Sequence, residues 1–144
     1  ELFRFFLKTL YLLQEWENKE VLARIYEVKL MAIQGFAPEV FSCVSCGQSP
    51  SSSIYFSPSM GGILCFNCHK TDENAVSISS ETLVAFQKML MQTYEKLKNI
   101  NISKYTREQL SNILSLFISH QIDRKLKTVQ FIKDIKRLNI ISSV

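Results

Sequence analysis

The chain has 144 residues, 47% hydrophobic and 21% charged, with a net charge of +4. That length suits one domain with its own core, and that composition excludes a disordered chain. No run approaches the roughly eighteen uninterrupted apolar residues of a membrane-spanning helix, and the apolar start, broken by Arg4 and Lys8, lacks the small-residue cleavage site of a signal peptide.

The first residue, Glu1, is not a methionine, which points to a piece of a longer protein. Residues 2–16 predict a helix whose polar side chains (Arg4, Lys8, Glu15) share one narrow stripe. A helix so apolar needs neighbours on several sides. It is expected either at the centre of a bundle or packed on a domain that precedes it. Residues 20–34 predict a second helix, with Glu20, Arg24, Glu27 and Gln34 on one face and Val21, Leu22, Ile25, Leu30 and Ile33 over the rest. Gly35 and Pro38 mark its end.

Three of the four glycines and two of the three prolines fall between Gly47 and Gly62. Short strands are expected at Ser53–Phe56 and Gly62–Phe66 around a turn at Ser57–Gly62. A third helix is expected over 79–98, with Ser79 or Ser80 as N-cap and Leu83, Phe86, Leu90, Tyr94 and Leu97 stepping by three or four. Thr106–Gln109 matches a capping box for a helix to about Leu126, which places Leu110, Ile113, Leu114, Phe117, Ile118 and Ile122 on one side. A last helix is expected over about 128–138.

All the cysteines lie between residues 43 and 68, as two C-x-x-C pairs with eighteen residues between them. Two pairs separated by 15–20 residues are the zinc-ribbon pattern, and four thiolates fill the tetrahedral shell of Zn²⁺. Cys43, Cys46, Cys65 and Cys68 are therefore the expected ligands, with an iron–sulfur site and two disulfides as the alternatives. Four thiolates leave no open position for water or substrate, so the metal is expected to be structural. His69 directly follows Cys68, and adjacent ligands rarely converge on one ion; His120 has a helical setting, so neither is an expected ligand or base. With two histidines, no nucleophile–base pair and no P-loop lysine after Met60–Gly62, no enzyme is expected. Metal-binding rather than disulfide spacing also favours a reducing, cytoplasmic compartment.

The excess positive charge is confined to residues 120–144, where Arg124, Lys125, Lys127, Lys133, Lys136 and Arg137 face two acidic residues. Such a cluster suits phosphates or an acidic peptide, or is a solvated helix face.

In order, "GFAPEVFSCVSCG" (35–47), "YFSPSMGGILCFNC" (55–68) and "HQIDRKLKTVQFI" (120–132) resemble the C-terminal part of RecO, the bacterial DNA repair and recombination mediator family. The resemblance covers about residues 30–138, and all four of the family's cysteine positions are present, although some members lack them. It implies a mainly α fold: a helical bundle over 1–144 with an inserted four-cysteine, zinc-ribbon-like β-hairpin module at 43–68, preceded in the family by an N-terminal OB-fold domain. It further implies a non-enzymatic binding module in a cytoplasmic, nucleoid-associated protein. The partners implied are single- and double-stranded DNA, RecR and the acidic C-terminal tail of single-stranded DNA-binding protein, in strand annealing and RecA loading. The alternative is an unrelated zinc-ribbon adaptor whose hairpin, through residues such as Tyr55 and Met60, contacts a protein partner.

Overall fold

A computed structural model of the chain describes residues 2–50 and 53–122. The basic positions Arg124, Lys125, Lys127, Lys133, Lys136 and Arg137, and the expected helix over 128–138, lie outside the described residues. The elements run α1 (Leu2–Glu15), α2 (Lys19–Ile33), β1 (Ile54–Ser57), β2 (Gly62–Cys65), β3 (Val76–Ile78), α3 (Ser80–Met91), α4 (Tyr94–Leu97) and α5 (Lys104–Ile122). None of these helices is long and apolar enough to cross a membrane.

The core forms where α2, α3 and α5 pack on one another. Val21, Leu22, Ile25, Val28 and Met31 of α2 meet Leu83, Phe86 and Met89 of α3 and Leu110, Ile113, Leu114 and Phe117 of α5. The stop of α2 is a Schellman turn: Gly35 takes φ 84°, Phe36 N–H donates to Met31 O and Gly35 N–H to Ala32 O.

The sheet has the order β2-β1-β3 and is antiparallel throughout, with Phe56 opposite Ile63 on one side and Val76 on the other. Ile54, Phe56, Ile63 and Ile78 belong to the same core as the helices. The Phe56 ring lies 5.8 Å from Phe86 and 5.9 Å, edge-on, from Phe117. The hairpin is thus rooted in the helical core and not appended to it.

Four expectations are corrected. The helix over 79–98 is two helices, because Gln92 and Thr93 are extended (ψ 153° and 163°). The break frees the Gln92 carbonyl to accept from Lys29 Nζ, and turns Tyr94 and Leu97 inward. The capping box is not at Thr106: Ser103 Oγ accepts from Thr106 N–H, and Glu81 of α3 accepts from both Ser103 N–H and Ser103 Oγ. Gln109, freed from that role, accepts from Ser79 N–H and Thr82 Oγ1 and donates to Ser77 O. Strand β3 is additional to the expected hairpin; it is too short to show periodicity, and it leads directly into the Ser79 N-cap of α3.

The fourth correction concerns one of the two placements expected for α1, the centre of the bundle. None of its residues is buried, and only Phe5 and Leu12 pack against the core. Phe5 stacks on Tyr26 at 5.2 Å and on Tyr94 at 6.0 Å, while Phe3, Leu7, Leu10 and Tyr11 stay exposed.

Candidate metal centre

Two tight turns carry the cysteines. In the first, Cys43 N–H donates to Gln48 O and Gly47 N–H to Cys43 O, with Gly47 at φ 75°. In the second, Cys68 N–H donates to Cys65 O, and Thr71 Oγ1 closes on Cys68 O at 2.7 Å. The turns converge because Val44 N–H donates to Ile63 O on β2, and Cys65 N–H reaches Cys43 Sγ at 3.4 Å.

All four Sγ atoms lie within 4.8 Å of one another, with Cys46 Sγ and Cys65 Sγ 3.8 Å apart, and none is in a disulfide. A tetrahedron with metal–sulfur bonds of about 2.3 Å has edges of about 3.8 Å. The Cys46–Cys65 pair matches that edge, and the group as a whole lies near enough to close on one tetrahedral soft-metal ion.

The thiols are electrostatically unequal. Burial pushes the Cys43 thiol up, but the backbone N–H groups of Cys65, Cys46 and Ser45 outweigh it and bring it down to about 6. The Ser45 hydroxyl draws the Cys68 thiol down, yet the sulfur of Cys65, burial and the sulfurs of Cys46 and Cys43 together push it up to about 12. At Cys46, the Gln48 N–H lowers the thiol and the Cys43 sulfur raises it, with a net rise. One preferred thiolate is thus surrounded by thiols that a metal must deprotonate. His69 is not part of the group: its Nδ1 meets Phe66 O, and its ring stacks on Tyr55 at 4.4 Å.

Residues distant in sequence also line an open cavity of about 400 Å³ between α1, α2, α3 and α4: Phe5, Ile33, Leu90 and Tyr94, with Lys8, Lys29 and Glu95, the last paired with Lys8 at 2.9 Å. Both ammonium groups approach the Tyr94 ring, at 5.7 and 5.9 Å. Burial lowers the pKa of Lys29, and Lys8 adds to that, against the opposing pull of Glu95. The Tyr94 hydroxyl is held by Thr9 Oγ1 at 2.9 Å.

The family described as Recombination protein O C terminal matches residues 1–130. This chain belongs to that family. It is 34% identical over 124 residues to DNA repair protein RecO of Alkaliphilus metalliredigens, covering 85% of this chain and 50% of that protein. It is 31% identical over 136 residues to RecO of Caldicellulosiruptor saccharolyticus, covering 94% and 55%. It is 27% identical over 138 residues to RecO of Acetivibrio thermocellus, covering 95% and 55%. The chain spans about half the length of these RecO relatives.

Of the residues singled out from sequence, Cys43, Cys46, Cys65 and Cys68 come together as one group. His120 is exposed on the last turn of α5. Lys8, Lys29 and Tyr94 are a site that sequence reasoning misses. Each fits the amphipathic pattern of its own helix, and what sets Tyr94 beside Lys29 is the break at Gln92–Thr93, which leaves no signal in the sequence.

Proposed function

We propose that this chain is a non-enzymatic binding module of a DNA repair and recombination mediator, with a structural Zn²⁺ held by Cys43, Cys46, Cys65 and Cys68. Membership in the RecO family supports the repair role, and the donor set supports the metal. Sulfur-only coordination leaves zinc nothing to activate, so its work is to hold the two cysteine turns on the hairpin.

The observation that carries the binding reading is the groove. Its floor is apolar and aromatic, and its edge carries Lys8 and Lys29. An acidic peptide ending in an aromatic residue, such as the tail of single-stranded DNA-binding protein, would seat its ring beside Tyr94 and its carboxylates on Lys29 and, in place of Glu95, which pairs with Lys8 at 2.9 Å, on Lys8. Single- and double-stranded DNA would be met by the basic side chains of 124–137, with affinity falling as salt rises. RecR binding, strand annealing and RecA loading belong to the whole mediator.

Fluorescence anisotropy with a labelled acidic peptide ending in phenylalanine tests this. Lys29→Glu should weaken binding at least tenfold, and added salt should weaken it further. Unchanged affinity in Lys29→Glu would remove the groove from the reading. The parallel titration with single-stranded DNA, comparing Arg124→Glu, Lys127→Glu and Lys133→Glu, tests the basic end separately.

A second reading, a protein adaptor working through the hairpin, has Met60 and Phe66 in its favour, both exposed on the module. A pulldown in which Met60 and Phe66 variants lose a partner that Lys29→Glu retains would select it.

A further inference from the structure

We propose that Cys46 is the site at which peroxide or another two-electron oxidant attacks this module, and that it resolves with Cys65 to a cross-turn disulfide that expels the metal. The proposal rests on the metal-bound reading above.

The four sulfurs differ in access. Cys46 is exposed, Cys65 and Cys68 are half-buried, and Cys43 is 1% exposed beneath them. They differ also in how their negative charge is held. The Cys65 N–H donates to the Cys43 sulfur at 3.4 Å, beneath the other three. Among four thiolates on one ion, the most open sulfur is the one an oxidant in solution reaches. Access therefore protects Cys43 and offers Cys46.

The resolving partner is set by distance. Cys65 Sγ lies 3.8 Å from Cys46 Sγ, on the other turn. A disulfide bond of about 2.05 Å requires the two sulfurs to close by less than 2 Å. Cys65 ends β2 and is held by it, so the movement falls to the exposed Cys46 side chain.

The chemistry balances with peroxide as oxidant. The Cys46 thiolate attacks one peroxide oxygen, the O–O bond breaks, and hydroxide leaves with Cys46 as the sulfenic acid. The Cys65 thiolate then attacks that sulfur, the S–O bond breaks, and a second hydroxide leaves. Two thiolates lose two electrons in total, and one peroxide gains them. Two of four ligands are consumed, so the ion is no longer held.

The fold tolerates this change. Phe56 and Ile63 are fully buried in the helical core, so the hairpin remains seated when the sulfurs rearrange. What loses its tether is Cys68, next to the His69–Thr71 turn, with the exposed Phe66 and the stacked His69 beside it. Oxidation would alter that surface and leave the Lys8–Lys29 groove intact.

The test begins with metal analysis of the purified protein, which judges the metal reading alone. Zinc-loaded protein is then treated with equimolar hydrogen peroxide. Released metal is followed with a colorimetric chelator, and linkages are mapped by mass spectrometry after alkylating the remaining thiols. The expected result is one ion released per disulfide, a Cys46–Cys65 linkage, recovery of metal binding after dithiothreitol, and release at least tenfold slower in Cys46→Ser. Because that variant can fail to load metal, limited N-ethylmaleimide labelling of the wild-type protein is the second measure, and Cys46 should be modified first. A dominant Cys43–Cys46 or Cys65–Cys68 linkage, first labelling at any other cysteine, or metal retained after oxidation would each overturn the proposal.

Discussion

Glu39 and Gly62 face each other as an isolated parallel bridge, Glu39 O accepting from Ile63 N–H at 2.9 Å and Glu39 N–H donating to Gly61 O at 3.0 Å. The bridge lays the segment leading to the first cysteines along the edge of β2. It is possible only because residue 62 has no side chain. A Cβ there would stand 2.5 Å from both Glu39 O and Val44 Cγ1.

Gly62→Ala should therefore force the 39–44 segment off β2. The cost expected is about 1–3 kcal/mol, the range for inserting a methyl group into a packed site. Because Val44 is next to Cys43, metal affinity should fall in the same variant. Gly47→Ala is the control: its Cβ would meet nothing within 4 Å, and only the left-handed backbone at φ 75° is strained. A comparison of thermal unfolding and zinc content across the two variants checks this, with Gly62→Ala the more damaging to both.

Phe56 and the metal hold the module from opposite sides. Phe56 is fully buried between Phe86 and Phe117. Phe56→Ala should cost about 3–5 kcal/mol, as for other buried aromatic truncations. Metal binding supplies on the order of 10 kcal/mol to zinc fingers that have no other core. Here the hairpin has that core, so chelation should lower the melting temperature while leaving the helical circular dichroism signal. Loss of the helical signal on chelation at room temperature would show that the metal, not Phe56, carries the hairpin.

The two contributions also show which parts of the fold sequence periodicity reaches. The helices at 2–16 and 20–34 and the hairpin strands are visible in the chain because each owes its form to its own residues: apolar spacing, Gly35, and the glycines and prolines of the turn. The cysteine group is visible because its spacing is itself the geometry. The split at Gln92–Thr93 is not visible, since Leu90, Tyr94 and Leu97 keep a helical spacing through it, and the break is supported from outside by Lys29 on the Gln92 carbonyl. The cap of α5 is hidden for the same reason, its carboxylate coming from Glu81, 22 positions away. The Lys8–Lys29–Tyr94 groove joins three helices, and no local pattern encodes it.

Zinc affinity should depend steeply on pH. Cys46 and Cys68 sit above the ordinary thiol value, Cys68 at about 12, so both are protonated at neutral pH before metal arrives. Cys43, at about 6, is already a thiolate above that pH. At least two protons must leave as the ion binds, so the logarithm of the affinity should rise by at least two for each pH unit between 7 and 8. Competition with a chelator of known affinity across that interval measures the slope. Below pH 6 the slope should steepen as Cys43 takes up its own proton.

Glu27 should make stability rise as pH falls. Burial raises its carboxyl above 4.5, and the Arg24 guanidinium, 2.7 Å away, only partly offsets this. Glu27 Oε2 and Arg24 Nε also lack partners among the described residues. A carboxyl whose folded pKa is raised binds its proton more readily in the native state than in the unfolded one, so protonation favours folding. Its contribution is therefore most favourable below the ordinary value of 4.5 and is lost as pH rises through the raised folded value. Glu27→Gln keeps an acceptor for Arg24 and removes the titration. Denaturant unfolding from pH 7 down to pH 4.5 should show a smaller gain in the variant than in the wild type. Equal pH profiles for the two proteins would mean that another carboxyl controls stability in that interval.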